Sequence, residues 1–87
     1  MNKEFSVLIY TIDKAVIEEK VVSLLSESSE GKFEILKDFN SSIIGTVATT
    51  IILKKADDTT TKFIASPGLI IVKNNVVKFC CDHIDLI

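Results

Sequence analysis

Two apolar runs, residues 69–73 and 76–81, are separated by nothing but Asn74-Asn75. Asparagine tolerates the left-handed backbone that a tight two-residue link needs, so the runs are expected to fold back on each other as an antiparallel hairpin. The rest of the chain has the same grain. Residues 3–10 alternate, with Phe5, Val7 and Ile9 on one face and Ser6, Leu8 and Tyr10 on the other, and residues 31–36 place Phe33 and Ile35 together. Residues 46–53 are rich in β-branched side chains that suit a pleated surface. That run ends at Lys54-Lys55 and the turn formers Asp57-Asp58, after which 62–65 returns as the second arm of a hairpin. Ser66-Pro67-Gly68 puts Pro and Gly at the central positions of a type II turn, which predicts a positive φ at Gly68. Short strands spaced by turn signals predict an all-β sandwich or barrel rather than parallel β/α units.

The segment from Ile12 to Leu25 supports two readings. Asp13 could cap a helix whose apolar stripe holds Ile12, Val16, Val21, Leu24 and Leu25, with Glu18 and Glu19 outside it. Alternatively, 14–17 and 21–26 are two strands joined by Glu18-Glu19-Lys20. The Val and Ile content tips the balance toward strands.

Eighty-seven residues bound the chain to one domain, 1–87, with a small core that a docked partner would reinforce. At 47% apolar residues and a mean hydropathy of +0.38, the composition points to a face buried against a partner. A net charge of −2, with ten lysines and no arginine, lacks the basic cluster that would neutralise a run of phosphates. Nucleic acid is therefore not an expected partner, and bidentate phosphate recognition loses weight. No apolar run reaches the ~18 residues needed to span a bilayer. Residues 5–12 are bounded by Glu4 and Asp13 with no small-residue cleavage site, so they read as a strand rather than a signal peptide. Two adjacent cysteines make no disulfide framework and fit a reducing compartment.

Chemistry concentrates at Cys80-Cys81-Asp82-His83. Strand alternation would put Cys81 and His83 on one face, which offers two metal ligands at most against the four of a structural zinc site. No third group orients the lone histidine for a thiol nucleophile, and a vicinal disulfide would be strained. Two buried strand cysteines are the expected arrangement. Glu27 and Glu30 sit among Ser26, Ser28 and Ser29 in what reads as a solvated loop, and Thr59-Thr60-Thr61 as the start of an exposed strand. Glycine is too scarce for a phosphate-cradling loop. No catalytic residue, cofactor site, metal site or small-molecule substrate is expected.

Three stretches resemble the N-terminal β-sandwich domain of the epsilon subunit of F-type ATP synthases. Phe5-Ser-Val-Leu-Ile-Tyr-Thr, with Lys14 and Val16-Ile17, is similar to the family's opening strand, with Ile12 in place of its usual proline. Residues 29–36, Ser-Glu-Gly-Lys-Phe-Glu-Ile-Leu, resemble the family's S-E-G-E-F-G-[VI]-L stretch. Residues 67–82 resemble G-G-F-L-E-V-x-x-N-x-V-x-V-L-A-D, the most specific of the three. Lys32 stands where the family commonly has an acid and Glu34 where it has glycine. If that glycine needs a positive φ, Glu34 is strained by about 1–2 kcal/mol. Lys37-Asp38-Phe39-Asn40-Ser41 replaces the family's P-G-H-x-P.

The resemblance implies a small antiparallel β-sandwich of about eight to ten short strands, without the two-helix hairpin into which the family usually continues. It also implies a non-catalytic rotor part of the central stalk, clamped to the gamma subunit and resting on the loops of the c-ring. Its place would be peripheral, on the cytoplasmic face of the inner membrane, coupling proton-driven rotation to ATP synthesis. By position, Ser29, Glu30, Gly31, Lys32 and Phe33 would face the ring, and Asp38, Phe39, Asn40, Ser41 and Ser42 would approach gamma. The alternatives are a free-standing cytosolic sandwich that binds a partner along an open sheet edge, and a thiol or metal enzyme centred on Cys81 and His83.

Overall fold

The computed structural model describes residues 2–12 and 16–87. Their strands are β1 (Phe5–Tyr10), β2 (Ile17–Val21), β3 (Ser23–Ser28), β4 (Gly31–Ile35), β5 (Ser42–Thr46), β6 (Thr49–Lys54), β7 (Thr60–Ala65), β8 (Gly68–Lys73), β9 (Val76–Cys81) and β10 (Ile84–Leu86). Hydrogen bonding follows the path β10-β7-β6-β3-β5-β8-β9-β1-β2, with β4 on the other edge of β3. One ladder pair, Ser28 with Thr46, joins β3 to β5. It divides the path into two halves, β4-β3-β6-β7-β10 and β5-β8-β9-β1-β2. The chain crosses between them at Val47-Ala48, where the Val47 N–H donates to the Glu27 carbonyl at 3.2 Å. The all-β sandwich expected from the sequence is present. One ladder departs from antiparallel order, because β1 runs parallel to β9.

Alternation builds the core. Phe5, Val7 and Ile9 of β1, Ile70 and Val72 of β8, and Val77, Phe79 and Cys81 of β9 point inward. They meet Leu24, Ile35, Ile51, Leu53, Phe63, Ala65 and Ile84 of the other half, with Val21 of β2 and partly buried Ile17, Phe33, Phe39 and Ile44 around them. Each fully buried large side chain among them contributes about 1.5–3 kcal/mol. The turns follow their residues. Asn74 and Asn75 both take positive φ, 51° and 62°, as a two-residue hairpin link demands. Asp58 does so at 67°, beside Asp57, which accepts hydrogen bonds from the Thr59 N–H and hydroxyl. The Thr59 hydroxyl, then its N–H, holds the Asp57 carboxyl below the usual carboxylate range.

Several expectations need correcting. The helical stripe from Ile12 to Leu25 does not form: Val21 and Leu24 face the core from two successive strands. Glu18-Glu19-Lys20 is the middle of β2 rather than a link, and Val22 makes the break. The Asp13 cap and the start of the proposed 14–17 strand fall outside the described residues. The run expected as one strand over 46–53 is two, because the chain crosses from one half of the ten-stranded sheet to the other at 47–48. Of residues 26–30, read as a solvated loop, Ser26, Glu27 and Ser28 belong to β3 and only Ser29-Glu30 make a turn, while the strand expected from Gly31 is present as β4. Gly68 carries no positive φ, so the turn is not type II; this glycine opens β8, where a Cβ would strike the Cys80 carbonyl oxygen and stand 2.9 Å from the Phe79 ring. Glu34 also has an ordinary φ inside β4 and is unstrained. Of the two cysteines expected to be buried, Cys81 is, whereas Cys80 points outward.

Candidate functional site

Two segments singled out by sequence sit at different places on the sandwich. The first is the tip of the β3–β4 hairpin. Ser29-Glu30 make the turn between Ser28 and Gly31, and Gly31 adopts φ 129°, a conformation that side-chain-bearing residues rarely take. The Ser28 hydroxyl accepts from the Glu30 N–H at 3.2 Å and so holds the turn. Beyond it, Lys32 is exposed opposite Glu27, while Phe33 tucks against the core. Leu25, Glu27, Lys32, Phe33, Thr50 and Ile52 border a shallow groove of about 300 Å³ beside the tip.

The second segment follows β4. Asp38 takes φ 65°, its N–H donates to Asn75 Oδ1 at 2.7 Å, and Asn75 Nδ2 donates to Asp38 Oδ1 at 3.0 Å. Asn75 also accepts the Ser6 N–H on its carbonyl, so one residue binds this loop, the β8–β9 turn and the start of β1. Phe39 anchors the loop to the core, and the Ser42 hydroxyl donates to the Asn40 carbonyl. Asn40 and Ser41 are exposed.

The two segments are not brought together. Ser28 and Thr46 stand at the Gly68 end of β8, and Asp38 stands at the Lys73 end. A six-residue strand separates these ends by about 17 Å. The part of Asn75 was not visible from its spacing, since its partner lies 37 residues away; its left-handed tendency was the only local signal.

The Cys80-Cys81-Asp82-His83 run does not assemble into a chemical site. The Cys81 thiol donates to the His83 carbonyl at 3.5 Å, and burial pushes that thiol up from its ordinary pKa. Both cysteines are free. Ser66 secures the run: its hydroxyl accepts from the Asp82 and His83 N–H groups at 3.1 and 3.0 Å. Among the described residues, no three His, Cys, Asp or Glu side chains are grouped to hold a metal ion, and no helix is long and apolar enough to cross a membrane.

Residues 4–86 match the family model described as ATP synthase, Delta/Epsilon chain, beta-sandwich domain. The chain is 31% identical over 80 residues to the ATP synthase epsilon chain of Clostridium perfringens, an alignment covering 92% of this chain and 59% of that relative. The chain thus spans well under two thirds of the length of the curated relatives it matches. Its fold is similar to a chain in the Euglena gracilis mitochondrial ATP synthase, solved as OSCP/F1/c-ring in rotational state 1. There the TM-score is 0.89 at 13% identity, over 95% of this chain and 53% of that one. A chain of the Tetrahymena thermophila mitochondrial ATP synthase central stalk and c-ring has a TM-score of 0.77 at 13% identity, over 92% and 64%. With the family model matched over residues 4–86, nearly its whole length, this chain belongs to the ATP synthase delta/epsilon-chain β-sandwich family.

Proposed function

We propose that the chain works as a non-catalytic rotor part of a proton-translocating F-type ATP synthase, joining the gamma subunit of the central stalk to the c-ring. The observation that carries this reading is the family match over residues 4–86. The geometry supports it, because the two candidate contact segments stand about 17 Å apart at opposite ends of β8, as a spacer between two bodies requires. In this reading Ser29, Glu30, Gly31, Lys32 and Phe33 meet the ring loops. Asp38, Phe39, Asn40, Ser41 and Ser42 meet gamma.

Such a part transmits torque and handles neither nucleotide nor proton. What it needs is a stiff body with specific ends, and the shared core and the Asp38–Asn75 tie supply that stiffness. The complex would hold it peripherally at the cytoplasmic face of the inner membrane. Mixing the purified chain with its cognate gamma subunit on a sizing column tests the reading: co-elution is expected, and separate elution at micromolar concentrations sinks it.

A further inference from the structure

We draw no further inference here: the strongest candidate, the depression of about 440 Å³ at the Gly68 end of β8 that Ile12, Pro67, Leu69 and the exposed Cys80 border, is an apolar rim around a lone exposed cysteine, and nothing in the structure shows what covers it.

Discussion

Asp38 and Asn75 exchange two hydrogen bonds, 2.7 Å from the Asp38 N–H to the amide oxygen and 3.0 Å from the amide nitrogen to the carboxylate, while both hold positive φ. Asparagine is suited to both demands at position 75, since it tolerates the left-handed region and offers donor and acceptor together. Replacing it separates the two effects. Asn75→Gly keeps the backbone and loses the bonds, at about 1 kcal/mol. Asn75→Ala loses the bonds and adds strain, for a total of about 2–3 kcal/mol. Chemical denaturation of both variants checks the ordering.

Gly68 and Gly45 predict opposite responses to the same change. A methyl at position 68 collides with the Cys80 carbonyl and the Phe79 ring, so Gly68→Ala is expected to destabilise by about 1–3 kcal/mol or more. Gly45→Ala meets open space and removes glycine's entropic cost, so it should be neutral or stabilising by about 0.5 kcal/mol. Thermal melts of the pair decide it.

The two thiols differ in access. Cys80 is exposed on the outer face, while Cys81 is buried with its thiol pKa raised by burial. Alkylation of the native chain at neutral pH should modify Cys80 first, with Cys81 reacting only after unfolding, as peptide mass mapping would reveal. The sign of the linkage follows: the folded chain holds the Cys81 proton more tightly. Its contribution is present below the ordinary thiol pKa and is lost as pH rises through the raised folded value.

Lys32 is exposed near the hairpin tip opposite Glu27. If this tip meets the ring, Lys32→Glu puts two carboxylates across from each other and reverses the sign of the contact. Binding to the cognate c-ring should fall by about 5–10-fold, or roughly 1 kcal/mol, while stability changes by less than about 0.5 kcal/mol. Pull-down with the purified ring would measure the first and a melt the second.

Local chemistry determined most of the strands. Alternation in Phe5–Tyr10 and in Gly31–Ile35, and the Asn74-Asn75 link, specify pleated backbone and a hairpin whatever surrounds them. The candidate contact segments came from the resemblance, and their separation along β8 came from the fold. Where the sequence offered two periods at once, between Ile12 and Leu25, only packing could choose. Val21 and Leu24 bury fully as members of two strands, and the polar Glu18-Glu19-Lys20 is accommodated along an edge strand. Gly68 was readable as special but not for the right reason, because the Cys80 carbonyl that forbids a side chain there belongs to the neighbouring strand. The same holds for Asn75, whose partner is 37 residues away, and for Gly45, whose exposure depends on which strands flank β5. Backbone preferences act within a few residues and are written in the sequence; contacts between distant strands exist only once the sheets have closed.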